Sequence, residues 1–132
     1  MSNPIIWFQD CSYKNKHLVG GKCSSLGELH SIARRIGFSI GDGFAITTTM
    51  YDDYVKQNHL EQVIETKLAA IDTTNIKKLE DQSKELRDIV AAGDLSEEQI
   101  TSISTAYQGL CKLYNRENVE VAVRSSALAE DL

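Results

Sequence analysis

The spacing of apolar positions along this chain switches between a strand period and a helix period several times. Pro4-Ile-Ile-Trp-Phe8 is a short β-branched and aromatic run that predicts a first strand, with polar Gln9 to His17 as its connection. Leu18-Val-Gly-Gly-Lys22 then reads as a flexible loop feeding a helix whose apolar positions are Leu26, Leu29, Ala33 and Ile36, closed by Gly37 at a left-handed cap. Phe38 to Ile40 and Phe44 to Ile46 flank Gly41-Asp42-Gly43, read as a tight, glycine-dependent turn, and Thr47-Thr-Thr49 can cap a helix running to about Asn58.

From Leu60 to Asn115 the period is helical almost throughout, with breaks at Asp72 to Asn75 and at Gly93-Asp94 that divide it into three helices. The second carries Ile76, Leu79, Leu86, Ile89 and Val90 on one stripe, and the third carries Ile100, Ile103, Tyr107, Leu110 and Tyr114. Ser96 with Gln99 is a capping-box pair at the start of the third. Val121-Ala-Val123 predicts a closing strand that exits into a polar loop led by Arg124. The expected fold is therefore α+β, a mixed α/β layout with a small sheet packed by several helices, in a single domain over residues 1–132.

Composition narrows the function classes. With 42% hydrophobic and 25% charged residues the chain can bury a core, and a net charge of −5 with no aromatic-interleaved basic run argues against nucleic acid. No apolar stretch approaches the roughly 20 residues of a membrane span, and the N-terminal residues lack a leader pattern, so membrane association is not expected and the cytoplasm is. The three cysteines (Cys11, Cys23, Cys111) are widely spaced, and His17, His30 and His59 share no ligand spacing; neither disulfides nor a protein-encoded metal site is expected.

Two segments could hold an anion. Glycines at Gly20 and Gly21 let backbone N–H groups approach a phosphate, the following helix adds its positive end, and Lys22 adds a point charge. This is not a Walker A loop, because Lys16 stands where that motif needs glycine and Cys23 where it needs Ser or Thr. Arg124 offers a planar fork matched to phosphate oxygens, beside the hydroxyls of Ser125 and Ser126; a salt bridge to Glu130 or Asp131 is the alternative use of its charge.

In order along the chain, Val19-Gly-Gly-Lys-Cys-Ser-Ser-Leu-Gly-Glu-Leu29, Ile40-Gly-Asp-Gly-Phe-Ala-Ile-Thr-Thr48 with Tyr51 and Tyr54, and Val121-Ala-Val-Arg-Ser-Ser-Ala-Leu-Ala-Glu-Asp131 resemble the N-terminal part of the phosphoenolpyruvate synthase and pyruvate phosphate dikinase family. The resemblance implies the beginning of an ATP-grasp nucleotide-binding domain, in an enzyme that cleaves ATP and passes a phosphoryl group through a histidine on a swivelling domain to pyruvate held by a barrel domain. It places the family's ATP-contacting lysine on Lys22 and its phosphate-contacting arginine on Arg124. ATP and Mg2+ are the implied ligands, with metal-binding carboxylates and the remaining domains outside these residues, so the chain alone is expected to be inactive.

Gly41 replaces the family's usual proline, Leu128 its usual threonine, and Cys23 and Ser24 its usual residues after the lysine, which bears on affinity more than on fold. Other readings are a stand-alone, non-catalytic nucleotide- or partner-binding domain, and a relative whose acceptor is an antibiotic or a glucan. An unpaired edge at Val121 to Val123 would also favour self-association.

Overall fold

The computed structural model describes residues 3–129. The described residues fold into two compact units, one formed by residues 3–50 with 97–129 and the other by residues 51–96. The first holds a two-stranded antiparallel ribbon, β1 (Ile5–Trp7) and β2 (Phe44–Ile46), in the register Ile5 to Ile46, Ile6 to Ala45 and Trp7 to Phe44. Backbone bonds from Phe8 N–H to the Gly43 carbonyl and from Thr47 N–H to the Pro4 carbonyl, both 3.0 Å, extend the ladder at its two ends.

Because side chains alternate across a strand, the ribbon serves two apolar clusters. Ile5, Trp7 and Phe44 join Met50, Ile103 and Ala106 on one face, with the Trp7 and Phe44 rings edge to face at 5.7 Å. Ile6 and Ala45 join Cys11, Val19, Leu18 and Cys23 on the other. Val19, Leu18 and Cys23 come from α1 (Lys16–Ile36), Ile103 and Ala106 from α5 (Glu97–Leu113), Met50 from α2 (Thr48–Gln57), and Cys11 from the connection before α1; the residues of α2 from Tyr51 on belong to the second unit. The Gln99 side-chain amide donates to the Met50 carbonyl at 3.2 Å, a buried bond that ties the start of α5 to α2.

Gly37 ends α1 in the left-handed conformation at φ 76°, as its position predicts, and Phe38 N–H reaches back to the Ala33 carbonyl at 2.8 Å. The stretch before β2 differs from expectation. No turn is formed at Gly41-Asp42-Gly43, and neither glycine there has positive φ. Gly43 is small for a steric reason instead, since a methyl there would overlap the Phe8 ring, while Gly41 is exposed with only the Tyr114 hydroxyl nearby at 3.8 Å.

The burial of α1 is also rotated from the apolar stripe. Leu29 and Ile36 are exposed, and the buried face is Val19, Gly20, Gly21, Ser24, Gly27 and Ala33. Small residues let α1 approach its neighbours closely; a methyl on Gly27 would overlap the Cys11 backbone. In α5 the buried face is Gln99, Ala106, Leu110 and Cys111 with Ile103 packed on the core, while Ile100 and Tyr114 are exposed.

The second unit contains α3 (Glu61–Ala69) and α4 (Ile76–Ala91) after the end of α2. Both breaks fall where the sequence places them. Asn75 caps α4 by accepting the Lys78 N–H at 3.1 Å, and Asp72 accepts both the backbone N–H and the hydroxyl of Thr74 at 3.0 and 2.6 Å, which holds its carboxyl below the usual range. At Gly93 a methyl would overlap the Tyr54 hydroxyl, which donates to the Val90 carbonyl at 2.5 Å, while Asp94 bonds through its backbone to the Asn58 amide.

Candidate anion-binding site

The helical span of α1 contains one break. Gly20 sits at φ 78° and ψ 175°, outside the helical region, so a first turn is followed by a second helical segment starting at Gly21. The sequence expectation of a loop through residues 18–22 is thus narrowed to a single residue, with helix on both sides. A segment starting there exposes its first backbone N–H groups, which lack intrahelical acceptors.

Those donors are met from the far end of the chain. Gly21 N–H donates to the Ala127 carbonyl at 3.2 Å, and Cys23 N–H donates to Ser126 Oγ at 3.0 Å across 103 positions of sequence. Gly20 accommodates this approach, because a Cβ on it would overlap the Ser126 carbonyl. Behind the break, fully buried Ser24 donates its hydroxyl to the Gly21 carbonyl at 2.9 Å and stiffens the first turn of the segment. The two anion-binding candidates of the sequence are therefore neighbours in space.

Within the pair, Gly20 and Gly21 are buried, Ser126 is half-buried, and Lys22, Arg124 and Ser125 are exposed. Lys22 and Ser125 already have partners in the structure. Arg124 has no hydrogen bond or ion pair among the described residues, and its expected alternatives Glu130 and Asp131 lie outside them. Residues 120–125 form an exposed bridge between two pins: the Tyr107 hydroxyl, which accepts from Val119 N–H at 3.2 Å and donates to the Val119 carbonyl at 3.0 Å, and the bonds of Ser126 and Ala127 to α1.

The strand expected at Val121 to Val123 is not formed. The run has no pairing partner among the described residues, and Val123 is 91% exposed. A β-prone sequence without a neighbouring strand has no ladder to complete, so propensity alone does not make a strand of it. Cys11 and Cys23 share the cluster under α1, where burial, with Cys23 and Asp10 adding, pushes the Cys11 thiol up to about 11.

Ala127 and the N–H of Cys23 escaped the sequence reading. Backbone groups leave no residue-type signal, although a Gly-Gly pair does mark a place where another chain segment can come close. A cleft of about 390 Å³ elsewhere in the first unit, between Trp7, His30, Arg34, Phe38 and Asp42, includes none of the anion-binding candidates. There the His30 Nε2 and Asp42 Oδ1 atoms are 2.9 Å apart. Among the described residues, no group of three or more His, Cys, Asp or Glu side chains is placed to hold a metal ion, and no helix is long and apolar enough to cross a membrane.

The joined Gly20–Cys23 and Arg124–Ala127 segments fall within a match, over residues 16–132, to the family model described as the pyruvate phosphate dikinase AMP/ATP-binding domain. The chain belongs to this family. Among curated proteins, it is similar to the phosphoenolpyruvate synthase of Helicobacter pylori, with 38% identity over 97% of this chain. The phosphoenolpyruvate synthase of Synechocystis sp. and the probable one of Methanothermobacter thermautotrophicus match at 33% and 32%, each also over 97% of the chain. The chain spans 16 to 18% of the length of these relatives. The small ribbon with five helices among the described residues is consistent with a mixed α+β member of the pyruvate phosphate dikinase domain family.

Proposed function

We propose that this chain forms the N-terminal, ATP-binding portion of a phosphoenolpyruvate synthase. In this reading the whole protein converts ATP, pyruvate and water to phosphoenolpyruvate, AMP and phosphate. Lys22 and Arg124 neutralise and position the polyphosphate, with Gly20, Gly21, Ser125 and Ser126 beside them in the same site. The observation that carries this reading is the tether between Ser126-Ala127 and Gly21-Cys23, which brings the two cation-bearing segments together across most of the chain. The family match and the named relatives support it.

The chemistry asked of these residues is modest. Phosphoryl transfer passes through a loose transition state whose charge lies on phosphate oxygens, so fixed cations and positioning do most of the work. Lys22 supplies a compact charge and Arg124 a two-pronged one. Mg2+ would neutralise further charge, held by carboxylates outside this chain. ATP-grasp membership, a cytoplasmic setting and a role in gluconeogenesis complete the proposal, with the other domains of the parent enzyme as its partners. The isolated chain is inactive in this scheme, and its exposed Val121 to Val123 run promotes self-association.

The test is pyruvate-dependent ATP consumption by the full-length enzyme carrying Lys22→Ala or Arg124→Ala. Each should lose on the order of a hundredfold in rate, the usual effect of deleting one such transition-state contact. Near-normal rates in both variants would refute the assignment.

A further inference from the structure

We infer that Ser126 is a positioning residue, whose side chain caps the second segment of α1 in trans and thereby fixes Arg124 beside Lys22. An N-cap side-chain oxygen normally comes from the residue just before a helix and accepts the N–H of its second or third residue. Here the residue in that place is Gly20, which has no side chain, and the oxygen on the third N–H, that of Cys23, is Ser126 Oγ. The Ala127 carbonyl takes the first N–H, that of Gly21, so the two bonds form a paired latch.

A cap contributed from within the helix could not do this second job. By taking it from Ser126, the chain makes the helix start and the Arg124 loop mutually dependent: the segment is capped only when residues 126 and 127 are seated, and Arg124 lies two residues from the seat. The other end of the exposed bridge is pinned by the Tyr107 hydroxyl on Val119, so Arg124 is held on a short span anchored on both sides. Gly20 is specific to the same arrangement, since its φ of 78° and the close Ser126 carbonyl both exclude a side chain. Ser126 Oγ thus acts on phosphate binding through Arg124, by holding its loop.

This inference rests on Lys22 and Arg124 holding the polyphosphate, and the experiment separates the two ideas. In the full-length protein, Ser126→Ala, Arg124→Ala, their double variant and Lys22→Ala are compared by ATP affinity and by hydrogen exchange of the Cys23 amide. Ser126→Ala should speed exchange at Cys23 and weaken ATP binding about fivefold, the scale of one lost cap. In the Arg124→Ala background the same change should alter ATP affinity by less than about twofold, because residues that act through one another are not additive. Retained protection at Cys23 in Ser126→Ala overturns the cap, and an equal ATP loss in both backgrounds overturns the positioning role. If Arg124→Ala and Lys22→Ala both bind ATP normally, the proposed function fails and the positioning role with it, while amide exchange alone still decides the cap.

Discussion

At the residue scale, Gly20 and Gly37 share a positive φ and little else. A methyl on Gly37 would meet nothing within 4 Å, so Gly37→Ala should cost only the left-handed penalty, roughly 1–2 kcal/mol. Gly20→Ala adds a collision with the Ser126 carbonyl in a backbone region that is essentially glycine-only, and should cost at least roughly 3 kcal/mol. Urea unfolding of both variants measures the difference, and equal losses would show that the contact with Ser126 carries no energy. Cys11 gives a pH test. Its folded thiol keeps its proton up to about 11 while the unfolded chain ionises near 9.0, so between these values unfolding releases a proton and stability falls as pH rises. The decline should reach roughly 2–3 kcal/mol by the upper end of that window. Wild type should show a steeper loss there than Cys11→Ala, read from urea midpoints at each pH.

At the element scale, the ends of helices were more legible in the sequence than their buried faces. Gly37 and Asn75 act through local backbone chemistry that is written in residue type, and the break at Gly93 is marked by a glycine that the Tyr54 side chain keeps small. The cap at Asn75 can be weighed directly: Asn75→Ala should destabilise the protein by about 1 kcal/mol, seen as a lower urea midpoint with unchanged slope. The stripe on α1 misled because this helix buries glycines, serine and alanine, whose value lies in close approach rather than in apolar area. A hydropathy pattern cannot score that. The strand expected at Val121 to Val123 failed for a different reason, since strand formation needs a partner, and none is present among the described residues. The candidate site was half legible: Lys22 and Arg124 stand out by charge and by the motifs around them, whereas the joining of their segments depends on backbone groups of Gly21, Cys23 and Ala127 that carry no residue-type signal.

At the scale of the whole molecule, two compact units and a short ribbon leave much apolar surface in view. Val121 is 52% exposed and Val123 91%, on a backbone whose hydrogen-bonding groups are not in a ladder. Such a run pairs readily with another copy of itself. Light scattering of the purified chain should therefore show mass rising with concentration, and Val123→Lys should suppress the rise without lowering stability, since a substitution at so exposed a position is usually within about 0.5 kcal/mol of neutral. A strictly monomeric wild type would argue against this use of the segment.

The Ser126 to Cys23 bond also sets a schedule for how the protein comes into being. A contact spanning 103 residues closes a long loop, and contacts of that kind form late relative to local helices. During synthesis at about 5–20 residues per second, α1 must wait on the order of 5–20 s after Cys23 is made before its distant cap exists. In that interval the ribbon, too, can pair, because β2 is complete far earlier. The tether at Gly21 and Cys23 is therefore a late feature of the first unit, and a product interrupted before Ser126 would contain Lys22 on a helix segment without its distant cap.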